Sequence, residues 1–366
     1  MTETTSTWTD QLWSHYLNTT SQFRRKNTTL RQLLFDMRTT TVYLNTTTKK
    51  ALNTTNKAFN STNMDFNTTN TTKIVLTTTQ SPPALPAPPE YKSPGPYLVE
   101  YPYKYDFIIN EPTSCEQSKP FLVLVVPVAP HNKEDRQIIR DTWGATKSVS
   151  GKNVALFFLL GLGNVDEKEL SEESKQHKDI IQSNFVDCYK NLTIKTMVML
   201  EWLDAHCRQA TYAMKIDSDI FLNLPKLVEM LQHAPKSQYL TGLVERGAYV
   251  HRHQDSKWFV PYSVFSGNVY PPYALGLAYV LSMDLPKRLV EVSPQVKALY
   301  IEDVYLGMCM SHLGLFPTYP PFSGAFHVFP LRYNRCQYSR IIATTLDPNA
   351  NRRQLWADFN KPGPYC

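Results

Sequence analysis

Two aspartates stand where a strand-like segment gives way to a second apolar run. The apolar segment Tyr212–Ile216 is followed by Asp217 and Asp219, and apolar residues resume at Ile220. Carboxylates spaced i, i+2 at a strand end can both face the crevice in which α/β folds bind ligands. Mg²⁺ and Mn²⁺ bind few protein carboxylates and complete their shells with water and substrate phosphate. The spacing therefore indicates a metal–diphosphate site, although Asp-x-Asp also occurs in turns, where Asp caps backbone donors.

Two further acids, Glu302 and Asp303, open a segment with helical spacing of apolar residues. Acids in the first turn of a helix commonly complement the helix macrodipole, which is one explanation for the pair. The other explanation is that one of them is a general base, placed at the cleft to take a proton from an attacking hydroxyl. The sequence leaves both explanations open.

One histidine and several aromatic residues are weaker candidates. His327 lies in an apolar, strand-like run, where a histidine is more often packed than a metal ligand. Trp258 and Tyr273 lie in a region rich in aromatic residues and proline bends, and the apolar faces of sugar rings stack on such side chains. Ordinary core packing is the alternative for each aromatic residue.

The segments around these candidates alternate between strand and helix patterns. Continuous apolar runs, such as residues 121–129 and 154–160, are typical of strands buried on both faces of a parallel sheet. The alternation predicts an α/β fold with a mainly parallel sheet, in which ligands bind beyond the carboxyl ends of the strands. The other predicted elements are helices at 134–143, 167–178, 192–207, 226–233 and from 301, and strands at 184–187, 212–216, 239–243 and 276–282.

The N-terminal quarter differs in composition from the remainder. Residues 1–90 are dominated by Thr and Asn and have few large apolar residues, so they cannot bury enough apolar surface to offset their ordering entropy. We interpret them as a disordered, glycosylated stem, residues 91–114 as a linker and residues 115–366 as one folded domain. A disordered tail without glycans is the alternative. Asn-x-Ser/Thr sequons lie in the stem at Asn18, Asn27, Asn45, Asn53, Asn60, Asn67 and Asn70.

Charge, hydropathy and cysteine usage limit the partners and the compartment. The net charge of +6 is scattered, and the basic run at residues 24–26 lacks interleaved aromatic residues, so we expect no nucleic-acid partner. The longest apolar run is shorter than the ~20 residues that span a bilayer, so either the protein is soluble or its N-terminal anchor lies outside this sequence. Six cysteines beside sequons favour an oxidising lumen. Several pairings are open, and Cys336 with Cys366 is our first expectation.

Several blocks of the chain, in one order, resemble the beta-1,3-galactosyltransferase family of glycosyltransferases. The likeness runs from about Pro120 to the C-terminus and does not include the stem. Several unrelated blocks in a fixed order are more specific than any one of them. The blocks are Arg136-x-x-x-Arg140-x-Thr142-Trp143-Gly144, Phe158–Gly161, Asp187–Thr196, Asp217–Asp219, Tyr270–Tyr273 and Glu302–Gly307.

The resemblance implies a GT-A fold, in which a Rossmann-like nucleotide-sugar half and an acceptor half merge in one domain. It implies inverting, metal-dependent transfer from a UDP-sugar to a glycan acceptor, in type II membrane proteins of the Golgi. Asp219, with Asp217 close by, would hold Mn²⁺ against the UDP diphosphate, and His327 would complete the metal shell. Asp303 would be the base for the acceptor hydroxyl.

The resemblance also implies which residues line the two substrate pockets. On the nucleotide side it indicates Arg140, Lys195 and the turn at Leu160 and Gly161. On the acceptor side we expect Trp258, Tyr273 and Glu302.

Two positions depart from the family pattern. Ser218 stands in place of the middle acid of the metal motif, which matters little if the flanking acids bind the metal. Ala278 stands where a second glycine is usual, which adds a methyl group near the acceptor side. The second departure bears on acceptor identity more than on activity.

The expected activity is transfer of galactose from UDP-galactose, in beta-1,3 linkage, to a GlcNAc-type acceptor on glycoprotein or glycolipid glycans. A beta-1,3-N-acetylglucosaminyltransferase that uses UDP-GlcNAc is the alternative, since such relatives share these blocks and differ in donor. From a different class, the stem and the absent anchor favour a carbohydrate-binding pseudoenzyme or a mucin-like adhesion protein. Retention of Asp217, Asp219 and Asp303 argues against that class, because a binding protein needs no base.

Overall fold

The computed structural model describes residues 94–366, so the predicted stem and its sequons lie outside the described residues. No helix in the described part is long and apolar enough to cross a membrane. The strands are β1 (Phe107–Ile109), β2 (Leu122–Pro127), β3 (Ser148–Val149), β4 (Lys152–Leu162), β5 (Ile180–Val186), β6 (Tyr212–Ile216), β7 (Ile220–Leu222), β8 (Leu240–Glu245), β9 (Tyr273–Ser282), β10 (Phe326–His327) and β11 (Ala343–Thr345). The helices are α1 (Ser114–Ser118), α2 (Lys133–Asp141), α3 (Glu167–His177), α4 (Leu192–His206), α5 (Leu224–Gln232), α6 (Leu285–Val292), α7 (Glu302–His312), α8 (Arg335–Tyr338) and α9 (Arg352–Phe359).

The main sheet has a parallel centre and antiparallel edges. Its order is β1-β5-β4-β2-β6-β9-β8, and β3 pairs with β4. Strands β5, β4, β2 and β6 run parallel, whereas β1, β9 and β8 pair antiparallel with their neighbours. The predicted α/β architecture is therefore confirmed.

The apolar runs of the sequence become strands that are buried on both faces. Because side chains alternate across a strand, Val123 and Val125 pack with α4, α6 and α7, while Leu122 and Leu124 pack with α2, α3 and α5. The two layers of helices cover the faces of the sheet and leave the strand ends open. This is the arrangement that positions ligands at the carboxyl edge.

The reversal of direction at β9 brings two strand ends to one edge. β9 runs antiparallel to β6, with Ile216 paired to Ala278. The residue after β6, Asp217, donates its backbone N–H to Leu277 O at 2.9 Å. The carboxyl end of β6 and the first half of β9 are therefore level.

A second, three-stranded sheet has the order β10-β11-β7. Its strand β7 begins directly after Asp219, so the chain leaves the main sheet through the Asp217–Asp219 turn and enters the small sheet at once. His327 pairs with Thr344 of β11, which in turn pairs with Phe221 of β7. His327, in β10, therefore lies two strands from β7, the strand that follows the turn.

The segment expected to be a linker differs from that expectation where the structure describes it. Val99 and Tyr101 are buried, and the Tyr101 hydroxyl donates to Glu201 Oε1 at 2.6 Å. Strand β1 then pairs with β5 as an edge strand of the main sheet. Residues 97–109 pack as part of the domain because their apolar side chains cover the face that carries α4.

Two disulfides brace the domain. Cys336 pairs with Cys366, as expected from the sequence, and Cys115 pairs with Cys207. Cys188 is an exposed thiol, and Cys309 is a buried one. Burial raises the pKa of the Cys309 thiol to about 12, so little of it is present as the nucleophilic thiolate at neutral pH.

We predict that a thiol-alkylating reagent modifies the folded, unreduced protein at Cys188 and leaves Cys309 unmodified. Unfolding without reduction should add one further modification, at Cys309, because its thiol is then exposed as a nucleophile. Peptide mass spectrometry before and after unfolding measures both. Alkylation of Cys336 or Cys366 without reductant would contradict the pairing.

Candidate active site

The Asp217–Asp219 turn lies at the carboxyl edge of β6. The Asp217 side chain is 41% exposed, and Asp219 is exposed as well. Burial of part of its carboxylate and the neighbouring charge of Asp217 raise the pKa of Asp219. The two carboxylates therefore repel each other at an accessible edge, which is the electrostatic setting that a divalent cation relieves.

A buried lysine joins this turn to the start of α7. Lys215, the fourth residue of β6, donates from Nζ to Asp217 Oδ1 at 2.7 Å and to the Gly276 carbonyl. The same nitrogen lies 3.2 Å from Glu302 Oε1, and both of these side chains are 7% exposed. Burial lowers the pKa of Lys215, but the charges of Asp217 and Glu302 outweigh it and raise the pKa above the ordinary lysine value. The lysine is therefore charged and fixed.

Glu302 lies inside the domain and not on the acceptor side expected from the sequence. Its Oε2 accepts hydrogen bonds from the Thr196 hydroxyl at 3.1 Å and the Tyr279 hydroxyl at 3.4 Å. Burial raises its pKa to about 7, with further contributions from Asp303 and Asp217 and against the opposing effect of Lys215. Since the carboxylate is enclosed by these partners, we replace the acceptor-side expectation with a role in holding Lys215.

Asp303 has the opposite character, because its carboxylate is oriented and partly exposed. Its Oδ2 accepts the N–H of Gly276 at 2.9 Å, and its Oδ1 accepts the N–H of Val304 at 2.8 Å. Burial raises the pKa of Asp303 against the lowering effect of these two donors. Asp303 is thus the more exposed of the two acids, and its pKa lies above that of an ordinary aspartate.

Gly276 permits this approach of β9 to α7. A Cβ atom there would lie 2.5 Å from Glu302 Oε1 and 3.4 Å from Asp303 Oδ2. The first distance is shorter than any normal contact, so a side chain at this position would displace the buried glutamate. Because Gly276 has no side chain, it can lie against Glu302, Asp303 and Lys215 at once.

Lys195 lies at the same edge, bound to the ends of two other strands. Its Nζ donates to Val128 O, just beyond β2, at 3.0 Å and to Asp187 Oδ2, just beyond β5, at 2.7 Å. Burial lowers the pKa of Lys195 against the raising effect of Asp187. Asp187 Oδ2 also accepts the N–H of Gly161 at 2.8 Å. This network ties the carboxyl ends of β2, β4 and β5 together.

Leu160 and Gly161 lie within β4 and do not form the predicted turn. Leu160 is fully buried, and the Gly161 carbonyl accepts a hydrogen bond from Gln182 Nε2 at 3.1 Å. A Cβ at Gly161 would lie 2.5 Å from the ring of Phe185, so the glycine permits close strand packing with an irregular β4–β5 register. The Leu160 side chain is therefore a core residue and does not line a pocket.

Arg140 is engaged by internal carboxylates. Its Nε and Nη2 donate to Asp179, and its Nη1 donates to Glu173, each at 2.8 Å. Glu173 also receives two hydrogen bonds from the buried Arg136. Since each guanidinium nitrogen of Arg140 has a carboxylate partner, we replace its expected place in the nucleotide pocket with a role in joining α2 to α3.

The described residues hold no ready-made metal cage. Among residues 94–366, no group of three or more His, Cys, Asp and Glu side chains is arranged to hold a metal ion. The two carboxylates at Asp217 and Asp219 fit a hard divalent cation whose remaining ligands are substrate oxygens and water. His327 Nε2 lies 2.9 Å from Gly324 O, a contact that favours the proton on Nε2 and leaves Nδ1 as the acceptor.

Aromatic residues surround Asp303, including one that the sequence had not indicated. Burial and the Asp303 carboxylate raise the pKa of both Tyr189 and Tyr273. A hydrogen bond with Trp258 opposes the rise at Tyr189, so these residues are near neighbours. Tyr189 is 48% exposed. Tyr189 lies in the block Asp187–Thr196, which was among those that resemble the family. The spacing within that block did not indicate Tyr189 in particular.

Comparisons with known proteins identify the family of this chain. Residues 134–320 match the family described as galactosyltransferase. The chain is 37% identical to beta-1,3-galactosyltransferase 2 of Homo sapiens over 249 residues, which are 66% of this chain and 59% of that protein. It therefore spans less than two thirds of that relative. It is 34% identical to beta-1,3-galactosyltransferase 1 of Mus musculus over 265 residues, which are 71% of this chain and 80% of that protein.

Among solved structures, the galactosyltransferase LgtC in complex with donor and acceptor sugar analogs aligns with 66% of this chain and 97% of that chain. The identity is 9% and the TM-score 0.38, a likeness too small to carry an argument. The family match and the two relatives are sufficient by themselves. The chain belongs to the galactosyltransferase family.

Proposed function

We propose that the protein is an inverting hexosyltransferase that moves galactose from UDP-galactose, in beta-1,3 linkage, to a GlcNAc-type acceptor. One observation carries the proposal. The oriented, partly exposed carboxylate of Asp303 lies beside Gly276 of β9, level with the exposed acids that follow β6. A base and a candidate metal–diphosphate site therefore share one edge of the sheet.

The proposed chemistry needs one base and no nucleophilic carboxylate. Asp303 takes the proton of the acceptor hydroxyl as its oxygen attacks the anomeric carbon, and the bond from that carbon to UDP breaks on the opposite face. Inversion follows from this single in-line displacement, by analogy with inverting glycosidases. Glu302 is unsuited to the base role because Thr196, Tyr279 and Lys215 enclose it.

We propose that Asp217 and Asp219 hold Mn²⁺, and that His327, which forms no group of three with them among the described residues, would be a further ligand. When bound, Mn²⁺ would neutralise the charge that develops on the departing UDP. Lys215 Nζ holds Asp217 Oδ1 at 2.7 Å, and burial together with the neighbouring charge of Asp217 raises the pKa of Asp219. Lys195 lies at the same edge, paired with Asp187.

On the acceptor side we propose Tyr189, Trp258 and Tyr273. Tyr189 and Tyr273 lie close enough to Asp303 for its charge to raise their pKa values, so a sugar stacked on them would present a hydroxyl to the base. Residence in the Golgi lumen, with a membrane anchor, fits the two disulfides and the family, and we propose it on that ground.

The test is UDP release from UDP-galactose and from UDP-GlcNAc, with and without Mn²⁺, using beta-linked GlcNAc or galactose as acceptor. We expect turnover of UDP-galactose on the GlcNAc acceptor, and loss of that turnover when a chelator removes the metal. Turnover of UDP-GlcNAc alone would establish the beta-1,3-N-acetylglucosaminyltransferase instead. If UDP does not bind in the presence of Mn²⁺, the carbohydrate-binding or adhesion alternatives replace the proposal.

A further inference from the structure

Three consecutive carbonyl oxygens, two in the Asp217–Asp219 turn and one at the first residue of β7, accept hydrogen bonds from other parts of the chain. Ser218 O accepts a hydrogen bond from Arg352 Nη1 at 3.0 Å. Asp219 O accepts the N–H of Leu346 at 3.0 Å, and Ile220 O accepts the indole N–H of Trp143 at 3.1 Å. Two of these three donors come from the last 21 residues of the chain, more than a hundred residues after the turn.

Arg352 is the side chain that links the turn to a second element. It lies in the first turn of α9, and its Nη2 forms an ion pair with Asp135 of α2. Asp135 Oδ2 in turn accepts a hydrogen bond from the Ser218 hydroxyl at 3.4 Å. The Arg352 and Asp135 side chains are 20% and 26% exposed, so the pair is partly shielded from water. One guanidinium therefore contacts Ser218 directly and through Asp135.

We propose that Arg352 is a positioning residue for the metal–diphosphate site, an inference that rests on the proposed function. Two carboxylates bind one cation only when both point to the same place within about 0.5 Å. Asp217 and Asp219 flank Ser218, so a rotation of the Ser218 peptide would turn the two carboxylates apart. The planar guanidinium suits this task because it binds a carbonyl and a carboxylate at once in a fixed geometry.

Arg353 supplies a matched control on the same helix. Its side chain is 45% exposed and pairs with Glu134 and Asp141, both on α2, through Nη1 and Nη2. Loss of Arg353 therefore removes contacts between α9 and α2 and leaves the contact to the turn in place. Loss of Arg352 removes both kinds of contact.

The experiment compares Arg352→Ala, Arg352→Lys, Arg353→Ala and Asp219→Ala in the full chain. UDP affinity in the presence of Mn²⁺ is measured by calorimetry, the Mn²⁺ dependence of transfer by titration, and stability by thermal unfolding. We expect Arg352→Ala to weaken UDP binding and to raise the half-saturating Mn²⁺ concentration by about tenfold, the effect of losing a charge-assisted hydrogen bond. Arg352→Lys should show a smaller change in the same direction, and Arg353→Ala should match the wild type.

The outcomes separate this inference from the proposed function. If Asp219→Ala still binds UDP with unchanged Mn²⁺ dependence, the proposed metal site is wrong. If Asp219→Ala loses binding but Arg352→Ala keeps the wild-type affinity, only the role of Arg352 is overturned. Equal weakening of UDP binding in Arg352→Ala and Arg353→Ala would also overturn it. Both effects would then come from the loss of contacts between α9 and α2, and not from the contact of Arg352 with the turn. Should Arg352→Ala fail to fold, Arg352→Lys decides: a wild-type Mn²⁺ dependence overturns the inference.

Discussion

Replacement of Asp303 by Asn is expected to lower transfer by at least about a hundredfold and to leave Mn²⁺-dependent UDP binding unchanged. The amide keeps the size of the carboxylate but cannot take a proton from the acceptor hydroxyl. The start of α7 should remain in place, because Val304 and Tyr305 pack in the core. Single-turnover transfer and calorimetric UDP binding measure the two effects separately.

Two comparison variants make the Asp303 result specific. Asp219→Ala should lose both UDP binding and transfer, since it removes a proposed metal ligand. Glu302→Gln should keep more transfer than Asp303→Asn, because the buried glutamate has no access to an acceptor. Transfer at the wild-type rate in Asp303→Asn would remove Asp303 from the base role.

Replacement of Lys215 by Met is expected to be the most destabilising single change near the site. It leaves Glu302 buried beside Asp217 without its counter-charge, and removing one partner of a buried pair costs about 3–5 kcal/mol. The loss should appear as a lower midpoint in urea unfolding with an unchanged slope.

The double variant Lys215→Met with Glu302→Gln should recover part of this loss, because the unpaired buried charge is then removed as well. As a control, Lys226→Met removes a more exposed pair with Glu229 and should change the free energy of unfolding by less than about 1 kcal/mol. Equal effects of Lys215→Met and Lys226→Met would show that the buried network contributes no more to stability than an exposed ion pair does.

Local sequence patterns were sufficient to predict the strands whose own residues form a clear apolar run. The continuous apolar runs predicted β2 and β4 because both faces of those strands are buried. The early part of β5 was missed, since Gln182 and Ser183 are polar although both are buried. Strand β1 was missed because three residues at a sheet edge carry too little periodicity to detect.

The candidate site was predictable in its residue types and only partly in its contacts. Spacing at a strand end indicated Asp217 and Asp219, and resemblance selected Asp303 in place of Glu302 as the base; the fold brings the three aspartates to one edge. The ion pair between Lys215 and Glu302 joins residues 87 positions apart, and no local pattern encodes such a contact. Arg140 was assigned to the nucleotide side because its block does not reveal that Glu173 and Asp179 occupy its nitrogens.

The antiparallel pairing of β8 and β9 has a consequence for how acceptor preference can diverge. Parallel strands need a crossover of at least a dozen residues, whereas antiparallel neighbours can be joined by a connection of almost any length. Residues 246–272 form that connection and carry Trp258, while the turn after β6 and the start of α7 are built elsewhere. Insertions or exchanges within 246–272 can therefore alter the surroundings of Trp258 without altering the strand ends that carry Asp217, Asp219 and Asp303. If Trp258 contacts the acceptor as proposed, exchange of residues 246–272 between relatives should change acceptor preference only in part, because Tyr189 and Tyr273 lie outside this segment.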